Sequence, residues 1–265
     1  MEPYLKFAKD LAEEAAVIAL KYFGFDTERT LKSDSSPLTL ADTEINDLVI
    51  RRINDAYPEH SILGEEKSAI KEGSKYIWVC DPIDGTMPFS CGLPIFTFSL
   101  ALVDQSNGQP ILGVVNDPIM KNMYWAYKGS GAHRNGKKIS VTKDPDIKNT
   151  YLNIDGSRKD SVFSKTQTME WVSNRGGKSF KFLSFIYGGI QVANGKFSGS
   201  IFFGPEAHDS ATLKIIVEEA GGRVTDLNGN ERRYDEKGLG CVATNGLVHA
   251  DLLKYVADSK IKLID

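Results

Sequence analysis

The sequence is short of the residues that redox and zinc chemistry need. Its 265 residues include three cysteines and four histidines. Cys80, Cys91 and Cys241 are odd in number and share no ligand spacing. That excludes a disulfide framework and a structural zinc site, and fits reduced thiols in a cytoplasmic protein. His60, His133, His208 and His249 have no zinc spacing either, so each is read as a surface or a satisfied histidine. Positive charge is not in excess: 32 Lys and Arg face 35 Asp and Glu, for a net charge of -3. Such a chain has no basic footprint for nucleic acid. An anionic substrate has to be met by a local positive feature, either a bound metal ion or a helix N-terminus. No apolar run approaches the ~20 residues of a membrane helix, and Met1-Glu2-Pro3-Tyr4-Leu5-Lys6 lacks the apolar core of a signal peptide. No Gly-x-Ser-x-Gly elbow occurs. Gly131 to Lys138 spells Gly-x-x-x-x-Gly-Lys-Lys, but it lacks the hydroxyl of a P-loop and runs through a hairpin. Repeats and low-complexity stretches are absent. The expectation is a soluble cytoplasmic protein that takes neither membrane nor nucleic acid as partner.

What is present is enough for a substantial core. The chain is 41% apolar and 25% charged, and can form one large domain or two small ones. Apolar residues at helical spacing predict a helix from Tyr4 to Phe23, stopped at Gly24, and a second from Asp42, read as its N-cap, to Ala56. Between them, Lys32 to Asp42 begins as a polar loop. Strands are predicted at Ser61 to Gly64, Tyr76 to Cys80, Ile95 to Val103, Pro110 to Asn116 and Met123 to Tyr127. Asn135-Gly136 marks a hairpin. The polar segment Lys143 to Lys148, with Pro145, is a soft boundary. It divides an N-terminal α+β part, 1–145, from a C-terminal α/β part, 146–265. In the second part, strands are predicted at Thr150 to Ile154, Ser200 to Phe203, Val224-Thr225 and Cys241 to Thr244. Helices are predicted at Ser164 to Val172, Ser184 to Ala193, Ser210 to Ala220 and Leu247 to Val256.

The chemistry concentrates at Trp78-Val79-Cys80-Asp81-Pro82-Ile83-Asp84-Gly85-Thr86, where an apolar strand ends in two acids. Paired carboxylates are hard oxygen ligands and suit Mg²⁺ or Mn²⁺. Gly85 allows a ligand close to the backbone, and Pro88 fits the first turn of a helix whose free N–H groups can receive a phosphate. The plainer alternative is a strand-end turn with solvated acids. The preceding strand also leaves acids at its exit, in Gly64-Glu65-Glu66. Asp209, at a later helix start, is either an N-cap or a third acid for the same metal.

Taken together, Gly64-Glu65-Glu66, Asp81-Pro82-Ile83-Asp84-Gly85-Thr86 and Asp209 before Glu218-Glu219-Ala220-Gly221-Gly222 resemble the inositol monophosphatase family of Mg²⁺-dependent, lithium-sensitive phosphatases. Ser36-Pro37-Leu38-Thr39-Leu40-Ala41-Asp42 and the Asn135-Gly136 hairpin match further family segments. The resemblance covers nearly the whole chain. It implies the layered αβαβα sandwich of that family, a homodimer, and two or three Mg²⁺ ions, with Mn²⁺ as a substitute. By that resemblance Glu65, Asp81 and the Ile83 carbonyl hold a first metal, and Asp81, Asp84 and Asp209 a second. Glu65 can also hold a weaker third ion. Gly85 and Thr86 offer backbone N–H groups to the phosphate, with Asp84 beside them, and Thr86, hydrogen-bonded to Asp42, orients a water. The expected activity is hydrolysis of a small polyol or sugar-like monophosphate. Histidinol phosphate is the next substrate class, then 3′-phosphoadenosine 5′-phosphate or fructose 1,6-bisphosphate. A non-catalytic metal- or phosphate-binding relative is the alternative of another class. The chain departs from the family at His208, where Trp is usual, and at Phe202, where inositol-specific members have a Glu. Met87-Pro88-Phe89 is also unusual. Asp34-Ser35-Ser36-Pro37 and Ser90-Cys91-Gly92-Leu93-Pro94 lean toward the histidinol-phosphate and nucleotide branches. Replacing Asp84 by Asn is expected to abolish most turnover; a phosphate-release assay giving near-normal rates would show the ligand assignment to be wrong.

Overall fold

The computed structural model describes residues 1–33, 35–156 and 164–258. Asp34 and the stretch 157–163 lie outside the described residues. Helix α1 (Glu2–Tyr22) buries Leu5, Ala8, Leu11, Ala12, Ala15 and Ala19, which recur every three or four residues. A short antiparallel ribbon follows, β1 (Arg29–Leu31) with β2 (Pro37–Thr39), in the stretch read as a polar loop. Its strands are three residues long and β1 is wholly exposed, so neither shows a hydrophobic pattern.

Helix α2 (Leu40–Ala56) corrects one expectation. Its N-cap is Thr39, and Asp42 is the third helical residue. The Thr39 backbone N–H and hydroxyl both donate to Asp42 Oδ2, at 2.8 and 2.6 Å, in a capping box. Thr39 out-competes Asp42 as the cap because it is extended, with φ -117° and ψ 168°, whereas Asp42 is already helical.

Seven strands form the larger sheet: β3 (Ser61–Gly64), β4 (Tyr76–Asp84), β5 (Thr97–Asp104), β6 (Gln109–Asp117), β7 (Asn122–Tyr127), β8 (Ala132–Arg134) and β9 (Lys137–Ile139), neighbouring in sequence order. Only β3 and β4 are parallel. A one-turn helix, α3 (Thr86–Ser90), leaves β4 through Gly85. Asn135 and Gly136, at φ 48° and 77°, make the tight turn of the β8–β9 hairpin.

The smaller sheet contains β10 (Tyr151–Asp155), β11 (Lys178–Phe180), β12 (Gly199–Phe202), β13 (Arg223–Thr225) and β14 (Cys241–Thr244), in the order β11-β10-β12-β14-β13. Helices α4 (Lys165–Asn174), α5 (Phe185–Ala193), α6 (Ala211–Glu219) and α7 (His249–Asp258) are the remaining helices among the described residues. Strand β11, at the sheet edge, was not anticipated, because Lys178-Ser179-Phe180 carries no alternating pattern.

The layers follow from which faces are apolar. Helices α1 and α2 cover one face of the large sheet, and α6 covers the other. Helix α5 packs beside α6, and this pair also meets the small sheet; α4 and α7 cover its far face. The result is the αβαβα sandwich. Along β4 the side chains alternate. Trp78 and Cys80 enter the core under α1 and α2, whereas Ile77 and Val79 pack with Ala207 and Ala211. Buried on both faces, β4 reads as a continuous apolar run.

His249 couples the last helix to the small sheet. It is 1% exposed, with Nε2 3.0 Å from Thr225 Oγ1 and Nδ1 2.9 Å from Thr244 Oγ1. Burial, then Arg223 and Lys214, push its pKa down from 6.5 to about 4. The unfolded chain therefore binds this proton more readily. Stability contributed by the neutral ring is complete above about pH 6.5 and is lost as pH falls toward 4. Calorimetric melting of wild type and His249→Asn should show a gap that is widest near pH 8 and narrows by pH 5. A gap that ignores pH would contradict this account.

Candidate active site

Strand geometry aims the acids. Asp81 follows Ile77 and Val79 at the two-residue period, so it leaves the same face and meets the segment before α6 that carries Asp209. The pairing of β4 with β5 shifts register between Asp81 and Asp84, and this irregularity lets the second acid turn into the same space. One ligand oxygen from each of Asp81, Asp84 and Asp209 lies within 4.8 Å of the others. In the parallel pair, Gly64 stands opposite Cys80, and the Glu65 N–H donates to the Cys80 carbonyl at 3.2 Å. Glu65 thereby enters beside Asp81. Its carboxylate groups with those of Asp42 and Glu66.

Glu65, Asp81, Ile83, Asp84, Gly85, Thr86 and Asp209 line one cavity of about 220 Å³. Asp42 does not line it. It is fully buried behind Thr86, whose Oγ1 lies 3.1 Å from Asp42 Oδ1 and 3.0 Å from the Ile83 carbonyl. A larger cleft, about 550 Å³ beside Trp171 and Tyr255, contains none of these residues, so chemistry rather than size identifies the site. Asp209 is not an N-cap; that position belongs to Ser210. Ser210 makes no side-chain cap hydrogen bond there, and the Asp209 carboxylate is left to the cavity. The unusual His208 is half-buried, and burial lowers its pKa.

The acids are costly to bring together. Burial, then Glu65, Asp84 and Asp209, push the Asp81 carboxyl well above the usual range, and burial and Glu65 do the same to Asp209. Burial raises Asp84 to about 6, even though hydrogen bonds oppose it. Those bonds come from the start of α5. The Phe185 N–H donates to Asp84 Oδ1 at 2.9 Å, the Tyr187 N–H to Oδ2 at 3.1 Å, and the Ser184 hydroxyl also donates to Oδ2. A carboxylate beside free N–H groups at a helix start is favoured by the helix dipole. Asp155 ties down the same corner by accepting from the Gly156 and Ser184 N–H groups, at 2.9 and 3.3 Å. Gly85, with φ 91°, passes within 2.8 Å of Ser184 and of the Ile95 carbonyl, measured from where a Cβ would stand. No other residue type fits there without strain.

Two contributors carry no signal in the sequence that ties them to the acids. Lys32, from the β1–β2 connection, reaches Glu65 and Glu66 at 2.7 and 2.5 Å. Burial works against its charge, but the two glutamates outweigh burial and hold its pKa above normal. Ser184 is legible as a helix start, but its partner Asp84 is 100 residues away.

The donor set fits a hard divalent cation. It is made of carboxylate and carbonyl oxygens, and Asp81 Oδ1 is buried with no hydrogen-bond partner. Such an atom is explained by an ion that it would coordinate.

The fold and the acids place the chain among known proteins. Residues 1–260 match the model of the inositol monophosphatase family. The chain belongs to that family. A histidinol-phosphatase of Chlorobaculum parvum is 30% identical, over 98% of this chain and 99% of that protein. A fructose-1,6-bisphosphatase/inositol-1-monophosphatase of Thermotoga maritima is 33% identical, over 83% of this chain and 82% of that protein. Among solved structures, a T. maritima IMPase superposes with a TM-score of 0.87 at 29% identity, covering 98% of each chain.

Replacing Asp81 by Asn should separate stability from ion binding. Without metal, the variant is expected to gain at least about 1 kcal/mol from lost repulsion, which is roughly 2–4 °C of melting temperature in a chain of this size. Added Mg²⁺ should raise the wild-type melting temperature and leave the variant's unmoved. Equal Mg²⁺ responses would remove Asp81 from the ligand set.

Proposed function

We propose that this chain is a metal-dependent phosphomonoesterase that transfers the phosphoryl group of a small alcohol ester to water. The observation that carries this reading is the triad of buried Asp81 and Asp84 with half-buried Asp209, with an unpartnered Asp81 oxygen, in a cavity lined by Gly85 and Thr86. Glu65, Asp81 and the Ile83 carbonyl would hold one Mg²⁺, and Asp81, Asp84 and Asp209 another, with Glu65 available to a third and Mn²⁺ as a substitute. Bound there, such ions neutralise the ester, lower the pKa of a water and stabilise the leaving alkoxide. Water adds to phosphorus as the ester P–O bond breaks, giving the free alcohol and inorganic phosphate.

The protein's own groups supply position. Gly85 and Thr86 N–H groups, at the exit of β4, would receive the phosphate oxygens. When the Thr86 hydroxyl donates to Asp42, a lone pair is left to accept from the attacking water and so to orient it. Asp42 is itself fixed by Thr39, so the orientation is inherited from the α2 capping box. The same reading takes the protein to be a cytoplasmic homodimer. Three free cysteines are compatible with a reducing compartment, and Phe25 and Leu31, 89% and 67% exposed, offer apolar surface for a second copy.

Phosphate release measured with Mg²⁺ on a panel of small monophosphates tests the proposal. Turnover that disappears with a chelator and in Asp209→Asn is expected. A folded protein that binds Mg²⁺ and releases phosphate from none of them would instead be a non-catalytic relative.

A further inference from the structure

The lining of the cavity is not all acid. Leu183, Phe185 and Phe202 belong to it as well, and the chemistry above uses none of their side chains. The Phe202 ring stacks on Phe185 with centroids 4.7 Å apart and planes at 25°. Phe185 is 2% exposed and backs Phe202, which is half-buried. The surrounding backbone gives the ring its space: a Cβ on Gly204 would come within 2.3 Å of it, and one on Gly156 within 3.0 Å. Leu183 lines the same cavity in the left-handed conformation, with φ 58° and 37% exposure. A leucine there carries backbone strain and leaves an apolar side chain at the cavity rather than in the core.

The rest of the lining narrows what can dock on this surface. Among the described residues, no lysine or arginine lines the cavity, so none of these offers a counter-charge to a second phosphate. Lys32 is committed to Glu65 and Glu66. Asp155, the acid of the lining outside the metal set, already accepts two backbone N–H groups. The hydroxyls of a polyol would leave water against aromatic carbon without replacement partners, which is unfavourable. A flat ring loses nothing there, and gains buried apolar contact and offset or edge-on aromatic packing. The cavity, about 220 Å³, is also smaller than the ~300 Å³ at which pockets for drug-sized ligands begin. Beside a phosphate it leaves room for one ring.

We propose that Phe202, backed by Phe185 and flanked by Leu183, is the specificity-determining element of the site. It selects a monophosphate whose leaving group is a single planar unsaturated ring on a short chain. This inference rests on the phosphomonoesterase reading and deepens it.

The test compares kcat/KM with Mg²⁺ on four esters: L-histidinol phosphate with one heteroaromatic ring, inositol 1-phosphate as a polyol, fructose 1,6-bisphosphate with a second phosphate, and glycerol 2-phosphate with no ring. The ring ester is expected to lead the other three by at least about tenfold, mainly through KM. Phe202→Leu should cut the ratio of ring ester to glycerol 2-phosphate about tenfold, and Phe202→Tyr should restore it. Release from glycerol 2-phosphate with no preference for the ring overturns this inference alone. So does a Phe202→Leu enzyme that loses all four esters in parallel. No release from any ester overturns the phosphomonoesterase reading, and this inference with it. Should Phe202→Leu not fold by circular dichroism, competition on the wild type decides. Histidinol should raise the apparent KM for glycerol 2-phosphate more than equimolar myo-inositol, and equal effects refute the proposal.

Discussion

Carboxylates repel one another, and this fold spends much of its local structure holding several of them together out of water. Asp81 is 2% exposed and Asp84 4%, with Glu65 and Asp209 beside them. After burial itself, Glu65 and Asp84 push Asp81 and Asp209 toward their neutral forms. Three devices hold the cluster. Strand β4 is buried on both faces and so rigidly placed. The start of α5 grips Asp84 with backbone N–H groups and a hydroxyl. Lys32 lies across Glu65 and Glu66. A cation among the carboxylates would relieve the same strain, so the energetic defect and the proposed chemistry have one cause.

Much of this was legible in the residues themselves. The β4 acids stood at the end of an apolar run, and the family's spacing tied Glu65 and Asp209 to them. The long helices and central strands announced themselves by period, because each buries one face or both. What could not be read was whatever depends on contacts distant in the chain. The ribbon of β1 and β2 has no hydrophobic pattern, since its first strand is exposed on both faces. Asp42 looked like a cap, and only the extended backbone of Thr39 shows which residue holds that position. Nothing in Lys32 or Ser184 points to the acids that they touch, 33 and 100 residues away.

The layered architecture explains how one cavity draws on so much of the chain. The acids of its proposed metal set leave the large sheet and the segment before α6, while Asp155 and the aromatic wall come from the small sheet and α5. The two sheets meet across α5 and α6, so the cavity sits where the central helical layer begins. Phe185 belongs to both sides. Its N–H holds Asp84, and its ring backs Phe202.

That double duty bears on how such a site can change over generations. Asp84 is held at residues 185 and 187 through main-chain N–H groups alone. Main-chain donors survive every substitution except proline, so a change of side chain at those positions leaves the acid its donors. Natural selection can therefore rewrite the wall that meets the alcohol without disturbing the apparatus that cleaves its ester. A lineage of enzymes built on this plan can diversify in diet while keeping one chemistry.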